Sequence, residues 1–227
     1  MKLSIIIPTY NEKRTIVELL DKIETVNFPI EKEIIIIEDC STDGTKELLK
    51  NFENKYKIIY HRINSGKGKG IRNGLAVATG DFVVVQDADL EYDPNDLKLM
   101  LKKMMDENLV VLYGSRRLKK ENKQYSGLSF YLGGVFLSWL TNVLYGQKIT
   151  DEPTCYKMFK VEFLKSLPLS SERFEFCPEV TALTALRNIK IPEIGIAYYP
   201  RKSNEGKKIN WRDGLTAIKT LIKYRFK

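Results

Sequence analysis

Histidine is almost missing from this 227-residue chain, with His61 the only one. That removes histidine-rich zinc sites and most His-based nucleophilic relays from consideration. His61 follows an apolar strand pattern and reads as structural. The three cysteines, Cys40, Cys155 and Cys177, are odd in number, widely spaced and form no C-x-x-C pair. A disulfide framework is therefore not expected, and a reducing, cytoplasmic setting is. No Gly-, Ser- or Pro-rich linker, internal repeat or low-complexity tract divides the chain. Nor is a secretory signal expected, because the apolar run 3–7 is short and Pro8 ends it. Acids are in deficit, 29 against 37 basic residues, for a net charge of +8. Such a surplus favours an anionic partner, whether nucleic acid, an anionic membrane or a phosphorylated small molecule.

What remains is ordinary globular material, 43% hydrophobic and 29% charged, which excludes wholesale disorder. Strand and helix patterns alternate through the first half. Strands are expected at 3–7, 33–37, 56–60, 82–86 and 109–113, with helices at 15–26, 45–52, 70–78 and 95–105 between them. This rhythm predicts an α/β fold, a mostly parallel, Rossmann-like sheet sandwiched by helices. After Gly114 it loosens. Residues 115–122 are basic and loop-like, 124–147 carry no charge, a short strand is expected near 156–159 and another near 191–198, and helices at 178–188 and 210–225. The uncharged stretch is diluted by serines and glycines, so a buried or membrane-facing helix is expected rather than a span. Trp211, Leu215, Ile218, Leu221 and Ile222 recur at helical spacing among Arg212, Lys219, Lys223 and Arg225. That pattern suits core packing or a basic amphipathic helix at a membrane surface. One domain is expected over 1–227, with 115–227 built as an acceptor side onto 1–114.

The sharpest chemical signal is the strand 82–86 ending in Asp87, Asp89 and Glu91. In extended backbone, residues two apart point the same way, so these carboxylates converge. Crowded carboxylates need a proton or a hard cation, which suggests a divalent metal at the carboxyl edge of the sheet. Other predicted strand ends deliver Pro8-Thr9-Tyr10-Asn11-Glu12 and Glu38-Asp39 to the same edge. Asn64-Ser65-Gly66-Lys67-Gly68-Lys69-Gly70 precedes a helix and could approach a phosphate. It lacks the P-loop Gly-Lys-Ser/Thr, and Ile71 stands where a dinucleotide fingerprint needs glycine. An EF-hand starting at Asp87 fails at Tyr92 and Lys98.

Taken in order, Pro8-x-Tyr10-Asn11-Glu12, Glu38-Asp39-x-Ser41-x-Asp43-Gly44-Thr45, Asn64-x-Gly66-Lys67-Gly68, Asp87-Ala88-Asp89 and Gly114-Ser115-Arg116 resemble the family 2 glycosyltransferases of the GT-A fold. With Asp151-x-Pro153-Thr154-x-Tyr156-Lys157 and Tyr199-x-Arg201-x-x-x-Glu205-Gly206-Lys207-Lys208, the likeness is closest to the dolichyl- and polyprenyl-phosphate mannose or glucose synthases. The resemblance implies an inverting hexosyltransferase. Its donor would be a nucleotide-sugar such as GDP-mannose or UDP-glucose, with Mg2+ or Mn2+ neutralising the pyrophosphate. By this likeness Asp89 and Glu91 are the metal ligands and Asp87 is shared between metal and ribose. Pro8, Tyr10, Glu12 and Asp39 would hold base and ribose, with Lys67 near the nucleotide. Ser115, Arg116, Arg201 and Lys208 would grip an acceptor lipid phosphate. Asp89, Arg116 and Asp151 are the expected catalytic residues. Relatives often have glutamine where Glu91 stands, and carry an arginine in the helix after the Gly-Ser-Arg motif, where 125–147 has none. A sugar-hydroxyl acceptor is the alternative, with Asp151 or Glu179 as base; a non-catalytic nucleotide-binding module is the remote one. Relatives often continue into transmembrane helices, so this chain is expected to act peripherally on the cytoplasmic face or with a membrane partner. No nucleic-acid partner is expected.

Overall fold

The computed structural model describes residues 1–122, 127–201, 208 and 210–226. Residues 124–126 of the uncharged stretch and the expected motif residues Glu205, Gly206 and Lys207 lie outside them. Seven strands form one sheet in the order β3-β2-β1-β4-β6-β5-β7. They are β1 (Lys2–Thr9), β2 (Glu31–Glu38), β3 (Lys57–Tyr60), β4 (Phe82–Val85), β5 (Val111–Ser115), β6 (Lys157–Lys160) and β7 (Glu193–Gly195). All neighbours pair in parallel except β6, which runs antiparallel to both β4 and β5. The mostly parallel sheet therefore matches expectation. The insertion of β6 between β4 and β5 does not, since nothing in a four-residue strand states its partner or direction.

Alternation along β1 sends side chains to two cores. Leu3, Ile5 and Ile7 face α1 (Ile16–Thr25), α2 (Thr45–Leu49) and α4 (Pro94–Asp106), while Ile6 faces α3 (Lys67–Val77) and the helices of the second half. Those helices are α5 (Leu128–Tyr145), α6 (Val161–Ser166), α7 (Phe176–Leu186) and α8 (Trp211–Arg225). The six-residue α6 was not expected from the sequence. Local chemistry sets several ends. The Asp93 side chain accepts from Asn95 N–H with Pro94 in the first turn of α4, and Asn210 and Asp213 form a reciprocal capping box on α8.

In α5 the apolar pattern is spread around the helix, and it is the one described helix long and apolar enough to cross a membrane. Only 17% of it is buried. Leu137 enters the core, whereas Leu128, Leu132, Trp139 and Val143 face outward. α5 and α8 pack side by side, and Tyr145 donates its hydroxyl to the Leu221 carbonyl. Trp211, Leu215 and Ile222 of α8 are exposed as well.

Candidate functional site

The carboxyl ends of β1, β2 and β4 meet the Gly66–Lys67 turn at one edge of the sheet, the location ligands occupy in open α/β folds. Asp39, 5% exposed, is the anchor of the turn. Its Oδ1 accepts from Ser65 N–H at 2.8 Å and lies 2.7 Å from His61 Nδ1, while Oδ2 accepts from Gly66 N–H at 2.8 Å. His61 Nε2 lies 2.8 Å from the Asn73 amide, so with Nδ1 donating to Asp39 the imidazole is held at both ends. The structural role expected for His61 thus has a definite object, which sequence spacing did not reveal. Gly66 has φ +89°, and a Cβ there would stand 2.5 Å from the Glu172 carbonyl oxygen, so only glycine suits the turn.

Charge is tightly packed beside it. Lys67 Nζ is 2.5 Å from Asp87 Oδ1 and 2.8 Å from Cys155 Sγ. Burial pulls the lysine's pKa down, but Asp87 and the neighbouring thiols outweigh it and hold the ammonium well above its ordinary value. Burial works against ionised Asp87 too, and Lys67 more than offsets it, so this carboxyl stays below its usual range. Asp89 is the opposite case. Burial, reinforced by Asp87 and Glu91, pushes its pKa up to about 7 even though Arg201 Nη2 sits 2.9 Å from Oδ2. Arg201 also reaches Glu12 Oε2 at 3.2 Å, and its backbone N–H donates to Glu91 Oε1 at 3.0 Å. Lys208 Nζ bonds Glu12 Oε1 at 2.7 Å and the Tyr10 carbonyl. Four carboxylates (Glu12, Asp87, Asp89, Glu91) thus share three cations.

Among the described residues no three His, Cys, Asp or Glu groups form a ready-made metal cage. The donor set nevertheless fits a hard dication. Magnesium-like ions are commonly held by one or two carboxylates with substrate phosphates completing the shell, and Asp89 is short of positive charge. Asp87 and Asp89 are the carboxylates suited to it. Glu91, also expected as a ligand, has partners as the other two do: Tyr198 O–H donates to its Oε2 at 3.2 Å and Oε1 takes the Arg201 N–H.

The residues expected to act on the acceptor separate. Ser115 is fully buried, its hydroxyl 2.6 Å from Thr150 Oγ1, and it lies outside the cavity. Arg116 is committed to Asp151 by Nε and Nη2, both at 2.7 Å, and lies over the Tyr198 ring. Burial would raise the Asp151 pKa, but Arg116 reverses that and lowers it, which is a poor setting for a base. Glu179 accepts from Ser170, Ser171 and Tyr224 and does not line the cavity. A residue the sequence reading passed over does face the cavity. Arg117 Nη2 donates to the Tyr131 carbonyl at 3.3 Å, and among the described residues its guanidinium is ion-paired to no carboxylate. A Cβ on Gly134 would stand 2.8 Å from that nitrogen, so the glycine makes room for Arg117 to lie across α5.

The charged groups, from Glu12 and Asp39 to Arg201 and Lys208, border one cavity of about 810 Å3, which Ser115, Asp151 and Glu179 do not line. Its lining combines the acid and cation cluster, with Pro8, Tyr10, Glu12, Asp39 and Lys67, and an apolar part formed by Phe130, Phe136 and Leu137 of α5, Phe174 and Phe176 at α7, and Trp211, Leu215 and Ile218 of α8.

A profile of the family described as Glycosyl transferase family 2 matches residues 4–167. The chain belongs to this family. Its matched region runs from β1 through α6, so it contains the four carboxylates of the cluster and Lys67, but not Arg201 or Lys208. The dodecaprenyl-phosphate galacturonate synthase of Rhizobium johnstonii is 24% identical over 91% of this chain and 62% of that protein, so this chain spans less than two thirds of that relative. The UDP-N-acetylglucosamine–dolichyl-phosphate N-acetylglucosaminyltransferase of Methanococcus voltae is 27% identical over 85% of this chain and 83% of its own length. Among solved structures, S. aureus TarS 1-349 in complex with UDP-GlcNAc superposes with TM-score 0.68 at 25% identity, covering 99% of this chain and 66% of that one. The fold is GT-A, as the sequence motifs implied.

Proposed function

We propose that this protein transfers a sugar from a nucleotide-sugar to a polyprenyl phosphate at a membrane surface, inverting the anomeric centre. The observation that carries this reading is the continuity of the cavity, from a cluster built for a diphosphate into an apolar gallery between α5, α7 and α8. Two relatives whose names specify polyprenyl or dolichyl phosphate support the acceptor class, and a structural neighbour bound to UDP-GlcNAc supports the donor class. GDP-mannose and UDP-glucose are the donors to try first.

In the reaction an oxygen of the acceptor phosphate forms a bond to sugar C1 while the bond from C1 to the diphosphate oxygen breaks. The nucleoside diphosphate leaves with the bonding electrons. A phosphate monoester has a second pKa of about 6 and needs no base near neutrality. That suits a site in which Asp151 is locked to Arg116 and Glu179 lies outside the cavity. Bound Mg2+ or Mn2+, held by Asp87 and Asp89, would stabilise the departing diphosphate charge. Lys67 keeps Asp87 ionised and in place. Arg201 and Lys208 balance the acids and, with Lys67, would offer positive charge to an incoming phosphate. Arg117, at the junction with the apolar gallery, is placed to grip the acceptor phosphate.

Exposed Leu132, Trp139 and Val143 of α5 and Trp211, Leu215 and Ile222 of α8 would enter the lipid interface, with Arg212, Lys219 and Lys223 facing anionic headgroups. The test is incubation of the protein with radiolabelled GDP-mannose or UDP-glucose, manganese and polyprenyl phosphate. Label extracted into organic solvent and released by mild acid supports a sugar phosphate. Label that resists mild acid refutes the acceptor assignment.

A further inference from the structure

Glu152 has no part in the chemistry above, yet among the described residues it is the acid with a buried oxygen left unpartnered. It sits in the turn between α5 and β6, fully buried, and lines the cavity. Its backbone is fixed, with N–H donating to Ser138 Oγ at 2.9 Å. Oε1 has neighbours, the Thr181 hydroxyl donating at 3.3 Å and Lys157 Nζ at 3.9 Å. Oε2 is buried with no hydrogen-bond partner. Lys157 does not complete the pair. Its ammonium donates to the Glu152 carbonyl at 2.6 Å and stands 3.8 Å from the centroid of the Tyr113 ring. A buried carboxylate oxygen left without a donor is costly and rare, which calls for an explanation.

The surroundings identify what would supply the donor. The Thr181 hydroxyl also reaches the Cys177 carbonyl at 2.9 Å, and Cys177 Sγ lies 3.8 Å from the Thr154 carbonyl. The next residue, Cys155, touches Lys67, which holds Asp87. This chain of contacts joins the turn that carries Glu152 to Lys67 and Asp87 of the diphosphate cluster, while Pro153, the next residue, lies with the Arg117 guanidinium against Gly134. A group held there, between the diphosphate and Arg117, is one that the diphosphate carries away from its nucleoside. In a nucleotide-sugar that group is the sugar, whose hydroxyls are donors.

We propose that Glu152 is a sugar-specificity residue, its Oε2 accepting a hydrogen bond from one hydroxyl of the sugar to be transferred. The inference rests on the nucleotide-sugar part of the proposed function and not on the lipid acceptor. A site built to accept from a particular hydroxyl discriminates against the analogue lacking it, because the buried oxygen is then orphaned again.

The test uses titration calorimetry with no acceptor present. The probes are UDP-glucose, UDP-N-acetylglucosamine and GDP-mannose, with UDP and GDP as references. For the tightest nucleotide-sugar, Glu152→Met is expected to weaken binding by about tenfold or more while the matching diphosphate alone changes by less than about twofold. Glu152→Gln, which keeps an acceptor oxygen, is expected to recover most of that loss. Thermal melts establish that the variants fold. Should Glu152→Met not fold, the wild-type protein suffices. Across a panel of monodeoxy analogues of that donor, loss of one hydroxyl must weaken binding by about tenfold. Equal weakening of sugar and diphosphate in the variant, or a flat deoxy panel on the wild type, overturns the assignment. Failure of every nucleotide, including the bare diphosphates, would instead overturn the donor reading beneath it.

Discussion

Replacing Asp39 by asparagine isolates the role of one carboxylate in building the Ser65–Gly66 turn. Its two oxygens serve three donors, Ser65 N–H and Gly66 N–H at 2.8 Å and His61 Nδ1 at 2.7 Å. Asparagine has one oxygen, so one side of the new amide must turn its N–H2 toward a donor. If that side faces Gly66, a charge-assisted bond worth about 2 kcal/mol is lost outright, and the other two fall to the strength of neutral bonds. The sum is about 3 kcal/mol, because the site is buried and water cannot enter to replace the acceptor. In a chain of this size that corresponds to a fall in Tm of about 6–12 °C. Urea unfolding checks it: the midpoint should fall with the slope m unchanged. Amide exchange adds a local readout, since Ser65 and Gly66 should lose protection before the core of β1 does. A loss below about 1 kcal/mol with Ser65 and Gly66 still protected would mean that Asp39 does not hold the turn, and the argument would fail.

Arg117→Ala should reduce transfer to polyprenyl phosphate by roughly ten- to a hundredfold while leaving donor affinity within about twofold, measured as product formation beside nucleotide titration. Equal loss of donor binding would remove Arg117 from the acceptor side. Trp139→Glu combined with Ile222→Glu should abolish co-flotation with anionic vesicles without lowering Tm, since both side chains are exposed; undiminished flotation would refute docking through α5 and α8. For Glu179, burial opposes ionisation, but the Tyr224 hydroxyl and the Ser170 and Ser171 N–H groups prevail and lower its pKa below 4.5. A folded pKa below the unfolded one adds stability that is present above pH about 4.5 and lost as pH falls through the depressed value. Tyr224→Phe should therefore destabilise at pH 7 by about 1 kcal/mol and flatten the acid limb of the stability profile, read by unfolding at pH 7 and pH 3.5. An acid limb unchanged by the substitution would contradict this.

The first half of the fold was legible because each of its signals is local. Ile5, Ile6 and Ile7 are all buried, a run that only a strand covered on both faces needs. The helices between carry their own spacing and caps, such as Asp93 before Pro94. The second half fails that test. β6 and β7 stand where short strands were expected, near 156–159 and 191–198, but four and three residues carry no signal of partner or direction. What fixes β6 is tertiary: Phe159 pairs with Val83 on one side and Val111 on the other, contacts separated by 76 and 48 positions in sequence. The separation of like charges was equally invisible. Arg116 and Arg117 are neighbours of identical chemistry, yet Asp151 from 35 residues away takes one, and Gly134 leaves room for the other.

Within the site, the acids expected at the strand ends lie together, while Asp151 and Glu179, the expected alternative bases, do not line the cavity. Pro8, Tyr10, Glu12, Asp39, Lys67, Asp87, Asp89 and Glu91 all line one cavity. A strand end fixes where a side chain begins, though not what it touches. Asp87, Asp89 and Glu91 follow one another at a spacing of two, so extended geometry makes them equivalent. The structure makes them three different groups. Lys67 neutralises Asp87, Tyr198 and a backbone N–H occupy Glu91, and Asp89 is left with its pKa raised to about 7. Each of those partners comes from a distant segment. Leu90, between the last two acids, has φ +62°, which breaks the extended run and turns Glu91 toward Tyr198. Period-two reasoning holds only as far as the strand does, and β4 ends at Val85, before the first of the acids.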